Sequence, residues 1–249
     1  MRNRLDKLLH ERGLAPSRER AQALILAGRV LVNEQKIDKP GASVDSAALL
    51  RVLGDEQRYV SRGGFKLEAA LSRWQIDLNG RHCADIGTST GGFTDCMLQH
   101  GAASVVAVDT GYGQIAQALR KDPRVTLRER TNARYLKPGD LPAGISFISM
   151  DVSFISATLV LPAVVAAVRD APAAALEAVI LVKPQFEAGR EYIGHGGIVR
   201  DPVAHQLAID RVRQAMQDAG ASDLALTDSP LLGGGGGTGN REFLLYGRF

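Results

Sequence analysis

The sequence is poor in cysteine and histidine, and this limits the kinds of site it can build. Among 249 residues there are two cysteines, Cys83 and Cys96, and five histidines. The cysteines form no CxxC pair and have no histidine cluster near them, so we expect neither a metal site nor a disulfide framework. We interpret both cysteines as reduced residues of the core.

Long apolar runs are missing as well. No stretch approaches the roughly 20 residues that a membrane-spanning helix needs. The charged segment 1–14 lacks the apolar stretch of a secretory signal. We therefore expect a cytosolic protein that does not associate with membranes. A membrane-lysing toxin would need such a segment or a strongly amphipathic lytic helix, so the sequence disfavours that class.

Net charge is low, but its distribution is uneven. The chain carries a formal charge of +3, whereas residues 1–40 contain nine basic and five acidic side chains, which is +4. The rest of the chain is therefore slightly acidic. A compact positive segment on a near-neutral body is typical of an appendage that binds a polyanion. Taken alone, the positive charge of residues 1–40 slightly favours an ordinary solvated surface over a surface that binds a partner.

Residues 1–58 are predicted to form a small α/β domain. Apolar residues at helical spacing predict one helix that ends at Gly13 and a second that is capped by Ser17. Strands are predicted at Val30–Val32, from Ile37 and at Leu49–Leu53. The stretch 54–58 is the predicted linker.

Residues 59–249 show strands that alternate with helices, which is typical of an α/β fold. We predict a seven-stranded, mostly parallel sheet with helices on both faces. The last two strands are joined by the loop 229–240, which makes the final strand antiparallel. The predicted strands are Cys83–Ile86, Ser104–Asp109, Val125–Arg128, Phe147–Asp151, Ala178–Lys183, Leu224–Thr227 and Phe243–Tyr246. The predicted helices are Lys66–Trp74, Phe93–His100, Gln114–Lys121, Ser156–Val168 and Val203–Ala219.

A glycine-rich loop follows the first of these strands. Ligands of an open parallel sheet bind at the carboxyl ends of its strands, and glycines let the backbone approach them closely. The loop has Gly87, Gly91 and Gly92, so it does not match the G-x-G-x-x-G of dinucleotide-binding proteins. Asp85, two residues before Gly87, suits a ligand with an ammonium group, as in S-adenosylmethionine. A nicotinamide-dependent oxidoreductase is the weaker alternative.

Charged residues also end the neighbouring strands. Asp109 ends the second strand, where a carboxylate can accept hydrogen bonds from both ribose hydroxyls of a nucleoside. Asp151 and Lys183 end the fourth and fifth strands. We expect all three to lie on the same rim as the glycine loop.

Longer motifs carry a resemblance to a known family. The sequence resembles the TlyA (haemolysin A) family, which joins an RNA-binding αL motif to an FtsJ-like, Rossmann-like ribose 2′-O-methyltransferase domain. The motifs in the first domain are Arg4-Leu5-Asp6, Gly13-Leu14, Ser17-Arg18 and Lys39-Pro40. Those in the second are Val60-Ser61-Arg62-Gly63-Gly64-Phe65-Lys66-Leu67, Ser89-Thr90-Gly91-Gly92-Phe93-Thr94, Asp109-Thr110-Gly111-Tyr112-Gly113-Gln114, Arg130-Thr131-Asn132-Ala133-Arg134, Asp151-Val152-Ser153-Phe154-Ile155-Ser156, Val182-Lys183-Pro184-Gln185-Phe186-Glu187 and Gly239-Asn240-Arg241-Glu242-Phe243.

The resemblance implies a set of site residues. Those matching the Lys-Asp-Lys-Glu tetrad of FtsJ-like enzymes are Lys66, Asp151, Lys183 and Glu242. Those expected to bind S-adenosylmethionine are Asp85, Gly87, Ser89, Thr90, Gly91, Gly92, Phe93, Asp109, Asn132 and Asp151. Those expected to bind RNA are Arg4, Arg18, Arg20 and Lys39, whose phosphate contacts position a protein without reading sequence.

These residue types suit methyl transfer to a ribose. The sulfonium methyl group is already activated, so no metal is required, and the enzyme must align the reactants and accept a proton. Our hypothesis is that Lys183 acts as the general base in its neutral form. Burial and nearby Lys66 favour that form, whereas Asp151 opposes it. Asp151 and Glu242 would orient the two amines and the ribose.

The resemblance leaves several points open. Family members modify a cytidine ribose in ribosomal RNA, some on both subunits and some on the large subunit only. The chain ends directly after its last predicted strand, which favours the large subunit. A non-catalytic RNA-binding or ribosome-assembly factor is the alternative, and no stable protein partner is evident. The run Gly233–Gly237 replaces a proline-containing turn of the family, so we expect a mobile loop before Glu242.

Overall fold

A computed structural model describes residues 2–53, 58–169, 175–234 and 239–249. The chain forms two compact units, residues 1–58 and 59–249. Of the predicted linker, 54–57 lies outside the described residues. Of the glycine run, residues 235–237 lie outside them.

The first unit packs two helices on short strands. Its elements are β1 (Arg2–Arg4), α1 (Leu5–Glu11), α2 (Arg18–Leu26), β2 (Val30–Val32), β3 (Gln35–Lys36), β4 (Ser43–Asp45) and β5 (Leu50–Val52). Strands β3, β2 and β5 form one antiparallel sheet, and β1 pairs with β4. The Ser17 side chain accepts a hydrogen bond from the Arg20 N–H at 3.2 Å, so it caps α2 as predicted. Leu5, Leu9 and Ile25 are fully buried between the helices.

The second unit contains a seven-stranded sheet. Its strands are β6 (His82–Ile86), β7 (Ser104–Val108), β8 (Val125–Arg128), β9 (Ile145–Met150), β10 (Glu177–Val182), β11 (Ser222–Asp228) and β12 (Phe243–Arg248). The spatial order is β11-β12-β10-β9-β6-β7-β8. Strands β6 to β10 pair in parallel, whereas β12 is antiparallel to both of its neighbours. The predicted fold class is confirmed, including the antiparallel last strand.

Helices cover both faces of this sheet. They are α3 (Gly63–Trp74), α4 (Gly92–Gln99), α5 (Gln117–Arg120), α6 (Ala157–Val168), α7 (Pro184–Glu187) and α8 (Pro202–Asp218). Successive strand residues alternate between two hydrophobic cores, because side chains of a strand point to opposite faces. Ile148 packs in the core that holds α6 and α8, whereas Phe147 packs in the core that holds α3 and α4.

Apolar content is high in α6, but its length is only 12 residues. Within the parts of the chain that the structure describes, no helix is both long and apolar enough to cross a membrane.

Candidate active site

The glycine loop connects β6 to α4 at the carboxyl edge of the sheet. Gly87 has φ +85° and Gly91 has φ +97°, which are left-handed conformations that favour glycine. A Cβ on Gly87 would lie 2.4 Å from the backbone oxygen of Asp151. Glycine is therefore required at Gly87 by both its dihedral angle and the closeness of the segment that follows β9.

Asp109 holds this loop in place. Its Oδ2 accepts a hydrogen bond from the Ser89 N–H at 2.7 Å, and its Oδ1 accepts one from the Gly111 N–H at 2.6 Å. An ionised carboxylate has about four acceptor positions, so Asp109 retains capacity for a ligand hydroxyl. The predicted ribose-binding acid thus also connects the ends of β6 and β7.

A cavity of about 520 Å³ opens beside the loop. Gly87, Ser89, Asp109, Asn132 and Asp151 of the predicted cofactor set line it, and the Asn132 side chain also caps the short 3₁₀ helix Ala133–Tyr135. The remaining lining residues are Ile86, Val108, Thr110, Gly111, Gln114, Thr131, Ala133, Val152, Ser153, Phe154, Ile155 and Val160.

A second cavity of about 280 Å³ adjoins the first. Both cavities are lined by Gly87, Ser89, Asp151 and Ser153. The second also reaches the two lysines of the predicted tetrad and takes in Thr90, Gly92 and Phe93, three residues of the predicted cofactor set. The other residues around it are Ser61, Arg62, Gly63, Lys66, Thr88, Lys183 and Gly234.

Asp85 is not placed as we expected. It is fully buried and lines neither cavity, because it lies inside β6 and faces α4 rather than the rim. Its Oδ2 accepts a hydrogen bond from Thr94 Oγ1 at 2.6 Å, and its Oδ1 accepts one from Ser149 Oγ at 3.0 Å. Burial raises the pKa of Asp85 to about 7. In this structure Asp85 therefore lies behind the loop, where it is held by α4 and β9.

Gly91 also lies away from both cavities. It is the residue before α4, and a Cβ there would lie 2.3 Å from Leu119 Cδ1. Its role in this structure is to let the loop pack closely on α5.

The four tetrad residues form two ion pairs. Lys66 of α3 places Nζ 2.5 Å from Oε2 of Glu242, which lies just before β12. Lys183, just after β10, places Nζ 2.5 Å from Oδ1 of Asp151 and donates a hydrogen bond to Ser153 Oγ at 2.7 Å. Both lysines are 9% exposed and Glu242 is 3% exposed. Charged groups are buried this deeply only when they are paired, as these are.

The loop before Glu242 approaches it closely. A Cβ on Gly233 would lie 2.2 Å from Glu242 Oε1, so the first glycine of the run leaves room for the carboxylate. The Gly233 N–H also donates to the Asn240 carbonyl oxygen at 2.8 Å. Glycine at this position therefore accommodates the Lys66–Glu242 pair.

Two residues of the site were not singled out from the sequence. Ser153 accepts the hydrogen bond from Lys183, and Phe154 lines the larger cavity while its side chain is 93% exposed. Phe154 has φ +64°, an uncommon conformation for a bulky residue that points to a functional constraint. Both residues belong to the motif that begins at Asp151, and this membership could have identified them as site residues from the sequence.

Two of the predicted RNA-binding residues meet at one carboxylate in the first unit. Asp6 is fully buried, and its Oδ2 lies 2.9 Å from Arg4 Nη2 and 3.1 Å from Arg18 Nε. The Arg4 guanidinium, together with Gln22 and Arg18, lowers the pKa of Asp6. Arg4, Arg18 and Lys39 are exposed, and Arg20 is half-buried.

Potential metal ligands are dispersed over the part of the chain that the structure describes. No group of three or more His, Cys, Asp or Glu side chains that could hold a metal ion occurs among those residues.

Comparison with protein families defines the class of this molecule. A model of FtsJ-like methyltransferases matches residues 59–249, and a model of the S4 domain matches residues 3–48. The protein is therefore an FtsJ-like methyltransferase that carries an S4 domain.

Individual relatives narrow the class. Bacillus subtilis YqxC, a candidate rRNA methyltransferase by name, is 48% identical over 98% of this chain and 85% of its own. The 16S/23S rRNA (cytidine-2′-O)-methyltransferase TlyA of Mycobacterium tuberculosis is 45% identical over 98% of this chain and 89% of its own. A solved candidate hemolysin from Streptococcus thermophilus is 44% identical with a TM-score of 0.74, covering 99% of this chain and 88% of that one. The chain belongs to the TlyA family, which confirms the resemblance.

Proposed function

We propose that this protein transfers a methyl group from S-adenosylmethionine to the ribose 2′-hydroxyl of a cytidine in ribosomal RNA. The observation that carries the proposal is the position of Lys183. Its amine contacts Asp151 and Ser153, two of the four residues that line both adjoining cavities. The name of the M. tuberculosis relative supports the same reaction and makes both ribosomal subunits candidates, and that of the B. subtilis relative supports methylation of rRNA.

The larger cavity suits S-adenosylmethionine. Its volume falls in the range of small-molecule sites. Asp109 would accept hydrogen bonds from the ribose hydroxyls, and Asn132 would contact the adenine. Gly87 and Ser89 would lie along the amino-acid tail. When bound, S-adenosylmethionine supplies a methyl group that is activated by its sulfonium, and we therefore propose that the reaction needs no metal.

The smaller cavity would receive the target ribose. Lys183 would accept the 2′-hydroxyl proton once its amine, ion-paired with Asp151 in this structure, has lost a proton, and Asp151 and Ser153 hold that amine in place. Lys66 would contact the ribose while Glu242 fixes its amine. Holding the hydroxyl in line with the methyl group is the main contribution of such a site, because alignment removes a large entropic part of the barrier.

The two units divide the work in this proposal. Residues 1–58 would grip RNA phosphates through Arg4, Arg18, Arg20 and Lys39, and residues 59–249 would carry out catalysis. The protein would act in the cytosol, where ribosomal RNA is its macromolecular partner.

The rim of the larger cavity offers a further RNA-binding surface. The Arg130 guanidinium lies 4.2 Å from the Tyr112 ring centroid, and that of Arg134 lies 6.0 Å from the Tyr135 ring centroid. All four side chains are exposed. Guanidinium groups beside aromatic rings suit phosphates and unstacked bases of single-stranded RNA. Exposed Phe154 would offer a similar face to the target base.

The first experiment measures methyl transfer directly. Purified protein is incubated with radiolabelled S-adenosylmethionine and separate ribosomal subunits from a strain that lacks the enzyme. We expect label on a 2′-O-methylated cytidine. The label should be lost in Lys183→Ala, because its base is gone, and kept in Lys121→Ala, which changes an exposed lysine outside both cavities.

Other outcomes would contradict the proposal. Label on a base rather than a ribose would assign a different reaction. Cofactor binding without transfer to either subunit or to naked RNA would favour the non-catalytic RNA-binding factor.

A further inference from the structure

Glu187 is a buried carboxylate that the proposed chemistry does not use. It ends α7, four residues after Lys183, and is 5% exposed. Its Oε2 accepts a hydrogen bond from Ser156 Oγ at 2.5 Å, and its Oε1 accepts one from the Ala157 N–H at 2.7 Å. Burial raises the pKa of Glu187. It lines neither cavity, so it has no direct access to a substrate.

These hydrogen bonds join the two segments that carry the reactive groups. Asp151, Ser153 and Ser156 lie on the segment after β9, and Lys183 and Glu187 lie on the segment after β10. The backbone pairing of β9 with β10 extends from Glu177–Phe147 to Ile180–Met150 and no further. Beyond the sheet, side-chain contacts fix one segment against the other. Lys183 with Asp151 and Ser153 forms one such contact, and Glu187 with Ser156 and Ala157 forms a second. The rings of Phe154 and Phe186 form a third, with their centroids 5.4 Å apart.

Both ends of the Glu187 contact are anchored. Ser156 and Ala157 begin α6, which packs against the sheet over its whole length. On the other side, Arg211 of α8 donates to the Glu187 carbonyl oxygen at 2.5 Å, and the Phe186 N–H donates to the Lys183 carbonyl oxygen at 2.9 Å. A displacement of α6 relative to α7 would therefore be passed to Lys183 and to the residues it contacts.

We propose that Glu187 is a positioning residue for Lys183. Its carboxylate holds the segment from Asp151 to Ser156 against α7, which keeps the Lys183 amine on Asp151 and Ser153. The inference rests on the proposed function, in which Lys183 accepts the proton. A misplacement of about 1 Å at such a group is enough to lower a rate about a hundredfold.

The test uses the full chain with three changes and a matched control. Glu187→Ala removes both hydrogen bonds, Glu187→Gln retains an acceptor for the Ala157 N–H, and Ser156→Ala removes the partner hydroxyl. Glu191→Gln changes an exposed carboxylate four residues further on. We expect kcat to fall about tenfold to a hundredfold in Glu187→Ala and less in Glu187→Gln, while the Kd for S-adenosylmethionine stays within about twofold.

A double-mutant cycle separates positioning from general destabilisation. Because Glu187 and Ser156 act through one hydrogen bond, Glu187→Ala with Ser156→Ala should lower kcat no more than the worse single change. If the losses of kcat in the two single variants add up in the double variant, the proposal is overturned. Circular dichroism gives the fraction of folded protein in each variant, and a kcat of Glu187→Ala that is normal once corrected for that fraction would also overturn it.

A second readout does not depend on methyl transfer. The rate at which acetic anhydride acetylates Lys183, followed by mass spectrometry, should rise several-fold in Glu187→Ala and stay unchanged in Glu191→Gln. Unchanged labelling in Glu187→Ala would contradict the positioning role even if the enzyme is active. If labelling of Lys183 increases in Glu187→Ala but the parent protein methylates no RNA, the positioning role is retained and the proposed function is rejected.

Discussion

Asp85 shows how one position along a strand changes the role of a carboxylate. Asp85 and Asp151 both come near the ends of neighbouring strands, and both were expected to face the cofactor. Asp85 pairs with Ser149 within the sheet, whereas Asp151 follows the last paired residue of β9 and reaches the cavity. Asp85, inside the strand, is covered by α4 and shielded from water. Asp151, beyond the end of its strand, lines the cavity in which a ligand would bind.

The raised pKa of Asp85 makes stability depend on pH. Because its pKa is about 7 in the folded protein and 3.8 without burial, the folded state holds the proton more tightly. Its contribution is complete below about pH 4 and is lost as pH rises towards 7. The full loss is on the order of 4 kcal/mol. In Asp85→Asn, the free energy of unfolding should fall much less between pH 5 and pH 8.

Urea unfolding at these two pH values measures this effect. Trp74, the single tryptophan, lies in α3 and reports on the second unit by its fluorescence. Equal pH dependence in the variant and the parent would mean that Asp85 is ionised in the folded protein.

At the scale of single residues, the sequence predicted which residues belong to the site better than it predicted their contacts. Lys66, Asp151, Lys183 and Glu242 were all predicted from motifs, and the structure brings them together as two pairs. Which lysine pairs with which acid could not be predicted, because it depends on where α3 and β12 lie relative to β9 and β10. Phe154 was missed because the exposure of an aromatic side chain is set by the loop conformation and not by its residue type.

At the scale of elements, the loop between β6 and α4 depends on Gly87. Alanine there meets two costs: a left-handed conformation of roughly 1–2 kcal/mol, and a Cβ within 2.4 Å of the Asp151 carbonyl oxygen. We expect Gly87→Ala to push the loop away from β9 and to raise the Kd for S-adenosylmethionine at least about tenfold, which isothermal titration calorimetry measures.

Gly80→Ala is the matched control. Gly80 has φ +72°, but no atom lies within 4 Å of its added Cβ. Gly80→Ala therefore has the same unfavourable left-handed backbone conformation as Gly87→Ala, but its Cβ collides with no other atom. A similar loss of cofactor affinity in both variants would mean that destabilisation, and not the shape of the loop, explains the effect.

Most helices and strands were predicted to within a few residues, and the differences have physical causes. The helix predicted at Gln114–Lys121 is only Gln117–Arg120, because the Ala116 N–H donates to Thr90 in the glycine loop instead of extending a helix. Strands β1 and β4 were missed because each has three residues and their pairing buries only Val44 deeply. Such short strands are stabilised by their partner and leave little pattern in the sequence.

At the scale of the whole molecule, the two units are expected to have separable functions. Removing the charges of Arg4, Arg18, Arg20 and Lys39 by glutamine substitution should weaken binding to ribosomal RNA and leave cofactor affinity unchanged. Asp6→Asn is included, because Asp6 would otherwise be a buried charge without its two arginines.

The salt dependence of RNA binding gives the measurement. The slope of log K against log salt should become shallower by roughly 0.7–0.9 for each phosphate that the variant no longer neutralises. Asp6→Asn alone is the control and retains all four basic side chains. An unchanged slope in the charge-removal variant would place the RNA-binding surface elsewhere, and the rim at Arg130 would be the next region to test.

The Lys66–Glu242 pair joins residues 176 positions apart in the chain. Contacts of such long sequence separation are slow to form, because the intervening chain must first be ordered. Glu242 is also held by a strand that lies between β10 and β11, so its place exists only once those strands have come together. We therefore expect this ion pair, and with it the complete candidate site, to form late in folding.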